Sequence, residues 1–176
     1  MSQRTYTLQQ IQTWDEAWCL RFNRASANPW IRKSFRLISR LGDGIFWYGL
    51  MIVLLVRYQA AALFAVLHMI AVGLVCTVIY KWLKRKTHRP RPFDTHRAVS
   101  CAAAPLDQFS FPSGHTLHAV AFSIVTLAYF PALVWLLVPF TALVALSRLV
   151  LGLHYPSDVL VGVLIGATIS ALSLAF

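Results

Sequence analysis

Charge is scarce in this chain, and acid scarcest of all. Of 176 residues, 12% are charged, with six Asp and Glu against sixteen Lys and Arg. A soluble domain carries about 25% charged residues. That deficit, with 58% apolar residues and several long apolar runs, argues against an ordinary soluble domain and predicts one integral membrane domain. Carboxylates are too few for a two-metal site: Asp94 and Asp107 are the only ones in the long polar loop. Metal-independent chemistry without a cofactor is therefore expected. The cysteines Cys19, Cys76 and Cys101 lack CxxC or CxxxxC spacing, which argues against a zinc or disulfide framework and leaves free thiols. No secretory signal peptide is expected, because the first 40 residues hold no uninterrupted apolar core and Arg4 is followed by polar residues. Internal repeats and low-complexity linkers are absent as well.

What is present is an all-α pattern: a polytopic membrane helical bundle of about five spans, preceded by N-terminal amphipathic helices. Residues 44–58, 60–82, 116–130, 132–150 and 158–176 are the apolar segments. The second breaks at Lys81, and Pro131 allows a tight return between the third and fourth. Several fall short of the roughly 20 residues a span needs, so they tilt little or borrow flanking residues. Residues 1–43 form a separate segment from the core, 44–176. Leu8, Ile11, Trp14, Trp18 and Phe22 recur at helical spacing. After Asn28-Pro29, Ile31, Phe35, Ile38 and Leu41 share a face opposite Arg32, Lys33, Arg36 and Arg40. Such a basic amphipathic helix lies on a membrane surface or packs on the bundle, and both can hold.

The net charge is +10. The basic residues flank the spans and no nucleic-acid motif is visible, so no nucleic-acid partner is expected. Anionic head groups and phosphate substrates fit better. Counting crossings puts three polar clusters on one membrane face. The first is KRKTHRPRP, residues 84–92, with Lys84 ending a span and Arg91 held between prolines. Alone it is an ordinary basic flank. The second is PSGH, residues 112–115. Ser113 is a natural N-cap, Gly114 permits close backbone approach, and a helix N-terminus offers N–H groups to an anion. A plain helix cap would not need His115. The third is SRLVLGLHYPSD, residues 147–158. Arg148 stands among leucines, where a guanidinium is expensive without a partner. Asp158, four residues after His154, can hold the imidazole Nδ1–H and leave Nε2 as a nucleophile. The bland alternative is a histidine–aspartate bond capping the last span.

Lys84, Arg91 and Arg148 as cations, Ser113 and backbone N–H groups as donors, and two histidines with one carboxylate suit a phosphoryl group. Its oxygens need fixed positive charge, above all in the transition state. One histidine can attack phosphorus while the other protonates the departing oxygen.

These residues resemble the type 2 phosphatidic acid phosphatase family, whose site pattern is shared with vanadium haloperoxidases. The family pattern K-x6-R-P, P-S-G-H, S-R-x5-H-x3-D is matched by Lys84, Arg91-Pro92, Pro112-Ser113-Gly114-His115, Ser147-Arg148, His154 and Asp158. The resemblance implies His154 as nucleophile forming a phosphohistidine, Asp158 as its orienting carboxylate and His115 as general acid. It implies phosphate binding by Lys84, Arg91, Ser113, Gly114 and Arg148. It also implies a lipid phosphate substrate, taken from phosphatidic acid, phosphatidylglycerophosphate or an isoprenoid phosphate or diphosphate, in a bacterial inner membrane. Members usually have six spans, against five here. A phosphotransferase passing the phosphoryl group to another lipid uses the same residues. A non-enzymatic anion-binding or transport protein is the further alternative, and a haloperoxidase does not suit a five-span membrane chain. Oligomeric state is left open.

The site face carries the seven basic residues of the N-terminal segment and those of the 84–97 loop, against Arg57 on the other face. The positive-inside rule therefore predicts a cytoplasmic-facing site. His68 is expected to be an interhelical hydrogen-bond partner. His118 stands open between packing and site support, and Asp43 could touch the site face but is expected rather to cap a helix.

Overall fold

The computed structural model describes the backbone of residues 2–176 and the side chains of residues 9–176. The side chains of Arg4 and Leu8 lie outside the described residues. Eight α-helices occur in the order α1 (Ser2–Asn23), α2 (Pro29–Arg40), α3 (Phe46–Tyr58), α4 (Ala60–Thr87), α5 (Pro92–Thr95), α6 (Gly114–Tyr129), α7 (Val134–Val150) and α8 (Pro156–Ala175), with no strand among the described residues. In a bilayer each backbone polar group must be satisfied within its own segment, which drives apolar runs into helices.

Among the described residues, four stretches are long and apolar enough to cross a membrane: Pro29–Tyr58, Ala60–Thr95, Pro131–Val150 and Pro156–Ala175. The third predicted span, α6, has 16 residues, about 24 Å of helix. It is the central helix, packed on α4, α7 and α8. Its inward residues Leu117, Ala119, Ala121 and Val125 join Trp47, Leu54, Met69, Leu137 and Val144 in one buried core. Large apolar side chains such as Phe64, Trp135 and Leu164 point outward, as a lipid-facing surface requires.

Two boundaries differ from the sequence reading. The second span does not break at Lys81. α4 continues to Thr87, and His88 closes it in a left-handed conformation (φ 47°). Basic residues are good helix formers and favour the C-terminal end of the helix dipole. The first span does not start afresh at residue 44 either. α2 runs into α3 through a π-turn over Leu41–Ile45, kinked at Gly44 (φ 132°). A side chain at that φ would be strained. The extra backbone residue of such a turn re-aims its neighbours, and here the neighbour is Asp43.

The first helix is turned opposite to its apolar stripe. Ile11, Trp14 and Trp18 are exposed, whereas Asp15, Cys19 and Asn23 are buried against the bundle. These three recur every four residues and share one face. Asn23 anchors that face, with Nδ2 donating to the carbonyls of Ser100 and Val150 (both 3.0 Å) and Oδ1 accepting from Ser100 N (2.8 Å). The outward aromatic stripe suits the membrane interface.

Close packing of α6 on α8 depends on two glycines. A Cβ at Gly162 would lie 2.8 Å from the Ser113 carbonyl, and one at Gly166 would lie 2.5 Å from the Leu117 carbonyl. Small residues at helix crossings allow this approach. It brings Ser113 N within 3.0 Å of the Asp158 carbonyl, to which it donates, joining the second and third sequence clusters.

Candidate active site

The three clusters meet at one cavity of about 790 Å³, whose polar end is lined by Asp43, Lys84, Arg91, Asp107, Gly114, His115, Arg148 and His154. The extension of α4 places Lys84, a short loop before α5 places Arg91, the start of α6 places Gly114 and His115, and the last turn of α7 places Arg148. His154 sits in the turn between α7 and α8, and Asp158 in the first turn of α8.

The three cations are held in different ways. Lys84 is buried, its Nζ donating to Asp107 Oδ1 (2.8 Å) and to the Phe109 carbonyl (2.6 Å). Arg91 is buried, donating to the same Asp107 Oδ1 (2.6 Å), to the Asp107 carbonyl (3.1 Å) and to the Leu153 carbonyl (2.6 Å). Arg148, also buried, donates to the hydroxyls of Ser39 and Ser147. Among the described residues no carboxylate lies within ion-pair distance of it. A buried guanidinium bonded only to hydroxyls, beside a cavity, leaves positive charge for an anion to neutralise.

His154 is almost fully buried. Its Nε2 lies 3.5 Å from Nη1 of Arg91 on the cavity side. Burial, then the neighbouring charges of Arg91, Lys84 and Arg148, push its pKa well below the ordinary histidine value, so the ring is neutral with a lone pair available. The predicted bond to Asp158 is not made: His154 Nδ1 is 3.7 Å from Asp158 Oδ2, beyond hydrogen-bond range. Asp158 instead accepts from the Tyr155 backbone N–H (2.9 Å) and from Arg89 Nη1 (2.7 Å).

Ser113 stands at the N-cap position of α6, but its hydroxyl makes no capping bond and pairs with Thr116 Oγ1 (3.0 Å). Asp43 is not a helix cap: its carboxylate is hydrogen-bonded to His115 Nε2. His118, in the cavity wall, bridges the Gly114 carbonyl (2.8 Å) and Thr77 Oγ1 (3.1 Å), which supports the motif loop from behind. His68 bonds Tyr129 across helices (2.8 Å), as expected.

The sequence reading missed Arg89, Asp15 and the role of Asp107. Asp107 makes ion pairs with both Lys84 and Arg91, and the only signal was its being one of two carboxylates in a basic loop. Burial alone would raise its pKa, but hydrogen bonding to Lys84 and the charges of Lys84 and Arg91 hold it below the usual carboxylate range.

Beyond the polar end, the cavity continues along Trp47 and Met51 of α3, Ile70, Gly73 and Leu74 of α4, and Phe122 of α6. Ile70 and Leu74 are exposed on the outer surface, so this apolar arm reaches the side of the bundle. A polar, cation-rich pocket and an apolar arm to the side can accommodate a phosphate head and a lipid tail together.

Among solved structures, the fold is similar to a transmembrane PAP2 type phosphatidylglycerolphosphate phosphatase from Bacillus subtilis, with TM-score 0.74, 24% identity and coverage of 95% of this chain and 86% of that one. It is also similar to LpxE of Aquifex aeolicus, with TM-score 0.72, 28% identity and coverage of 88% and 93%. A decaprenylphosphoryl-5-phosphoribose phosphatase of Mycobacterium tuberculosis is 40% identical over 92 residues, 51% of this chain and 49% of the relative. An undecaprenyl-diphosphatase of Bacillus subtilis is 39% identical over 87 residues, 49% and 45%. The chain thus spans about half the length of the curated relatives it matches. The PAP2 superfamily pattern matches residues 61–176, the part of the chain that holds all three clusters, and the chain belongs to that superfamily.

Proposed function

We propose that this protein is a membrane phosphatase that hydrolyses a phosphomonoester or diphosphate on a lipid through a phosphohistidine intermediate. The observation that carries this reading is the single cavity that holds Lys84, Arg91, Arg148, His115 and His154 at one end and an apolar arm at the other. Two of the relatives named above are a decaprenylphosphoryl-5-phosphoribose phosphatase and an undecaprenyl-diphosphatase, and a third is a phosphatidylglycerolphosphate phosphatase, which supports a lipid-linked substrate.

In this reading the three cations and the N-terminus of α6 bind the phosphoryl oxygens. His154 Nε2 attacks phosphorus, forming the N–P bond as the bond to the leaving oxygen breaks. His115 gives that oxygen its proton. Asp158 stabilises the positive charge on the phosphorylated ring. His115, now neutral, takes a proton from water, whose oxygen attacks phosphorus and breaks the N–P bond. Phosphate leaves and both histidines are restored.

The test is phosphate release in detergent with EDTA, over a panel of lipid phosphates, comparing wild type with His154→Ala. Release by wild type that is lost in the variant is the expected result. Release that survives His154→Ala overturns the mechanism. If wild type releases no phosphate but phosphorylates a second lipid alcohol when one is supplied, the enzyme is the phosphotransferase.

The same reading places the site on the cytoplasmic face of an inner membrane, supported by the basic residues gathered at that end. Cys101 is exposed in the loop that carries Asp107, while Cys19 and Cys76 are buried. A membrane-impermeant thiol reagent should label Cys101 only after permeabilisation. Labelling in intact cells would put the site on the opposite face.

A further inference from the structure

We infer that Asp15, on the N-terminal helix and outside the matched family region, is a positioning residue for the active centre, acting through Arg89 on Asp158. The inference rests on the phosphatase reading above.

The contacts form a continuous path. Arg89 Nη2 donates to Asp15 Oδ2 (2.7 Å), and its Nη1 donates to Asp158 Oδ1 (2.7 Å) and Ser157 Oγ (2.8 Å). The guanidinium lies over the Tyr155 ring, 4.2 Å from its centroid. Asp15 also accepts from the Ser157 backbone N–H (2.9 Å) and from the Ser157 hydroxyl. Both carboxylates are fully buried, and Arg89 is partly so. Asp158 Oδ2, the other oxygen of the same carboxylate, faces His154 Nδ1.

Two physical consequences follow. First, Asp15 supplies a carboxylate to the first turn of α8 from outside that helix, where the dipole favours negative charge. This fixes the turn that carries Tyr155, Ser157 and Asp158. Second, Arg89 is one cation shared by two buried anions. With Asp15 holding the Nη2 end, Asp158 keeps net negative charge to stabilise a positively charged His154 ring. Without Asp15, the whole guanidinium charge falls on Asp158 and weakens it as a partner. Neither Asp15 nor Arg89 lines the cavity, so their effect on the chemistry is indirect.

The experiment compares wild type with Asp15→Asn, which keeps an acceptor for the Ser157 N–H and removes the charge. It reads kcat, KM, inhibition by inorganic phosphate, and the ¹⁵N resonances of the His154 ring, assigned by comparison with His154→Gln. The expected result is a fall in kcat of about tenfold to a hundredfold, as for outer partners of other functional side chains. KM and phosphate inhibition should stay within about threefold, because the anion-binding cations are untouched. The His154 resonances should shift, and Asp15→Glu should recover part of the rate. A folded Asp15→Asn variant with wild-type kcat and unshifted resonances overturns the inference, as does a loss that tracks only the folded fraction. If Asp15→Asn does not accumulate folded, Ser157→Ala gives the same readouts: a smaller fall and shift are expected, and no change overturns. If wild type turns over no substrate, the phosphatase reading fails while the resonances still decide the coupling.

Discussion

His154 Nδ1 lies 3.7 Å from Asp158 Oδ2, on the side of the ring away from Arg91 but too far for a hydrogen bond. Nδ1 makes no hydrogen bond among the described residues although it is buried. A movement of about 0.5–1 Å would close this contact to normal length. Phosphorylation at Nε2 would drive it, since the ring then carries positive charge. Catalytic hydrogen bonds commonly tighten only in the reacting complex. Asp158→Asn should therefore lower kcat by about 10²–10⁴, the scale for carboxylates that orient a catalytic histidine, with KM changed little. Steady-state kinetics in detergent check this, and near-normal kcat would reduce Asp158 to a helix cap.

Asp107 occupies the space between Lys84 and Arg91, accepting from both with one oxygen. A phosphoryl oxygen would need those same donors, so substrate and carboxylate compete. Asp107→Asn should strengthen inhibition by inorganic phosphate about tenfold, on the scale of one charge-assisted hydrogen bond. Weaker inhibition would mean that Asp107 organises the cations rather than competing for them. The pH dependence has a definite sign. The folded pKa of Asp107 is depressed, so its pairing stabilises the protein above the unfolded value, near pH 4, and is lost as pH falls through the folded value. Thermal stability of wild type should drop on acidification below about pH 4 more steeply than that of Asp107→Asn.

The crossing of α6 and α8 sets the distance between the PSGH and histidine–aspartate clusters. Gly166→Ala puts a methyl 2.5 Å from a backbone carbonyl that cannot move aside easily. It should cost about 1–3 kcal/mol of stability, as overpacking does. Gly162→Ala pushes on the Ser113 carbonyl at 2.8 Å, beside the Ser113 N–H to Asp158 carbonyl bond. It should lower kcat more than its effect on melting temperature accounts for. Equal losses of stability and activity in both variants would show that the crossing acts on folding alone.

Local chemistry explains what the sequence revealed. Apolar runs, Pro131 and the three spaced motifs carry signals within a few residues, and the helices and the cavity lining follow them. The missed contacts join polar residues far apart in the chain. Asp15 meets Arg89 and Ser157, Asp43 meets His115, and Asp107 meets Lys84. No periodicity announces such pairs. The N-terminal helix is the least legible, because its aromatic stripe is the pattern that the sequence displays while Asp15, Cys19 and Asn23 make the packing face. In a bilayer an apolar face need not turn inward. Polar residues that need partners do.

The apolar arm gives the sharpest separation between a lipid phosphatase and an enzyme for water-soluble esters. Leu74 lines the arm and is exposed, and it stands on α4 about 15 Å of helix before Lys84. Leu74→Trp narrows the arm without touching the chemistry. Binding energy from a remote tail is lost only by substrates that have one. KM or kcat/KM for a prenyl or diacyl phosphate should worsen about tenfold, while a short soluble phosphate ester is unaffected. Equal effects on both substrates would mean the substitution disturbs the phosphate pocket. No effect on the long-chain substrate would mean the tail leaves by another route, and the arm between α3 and α4 would not be its path.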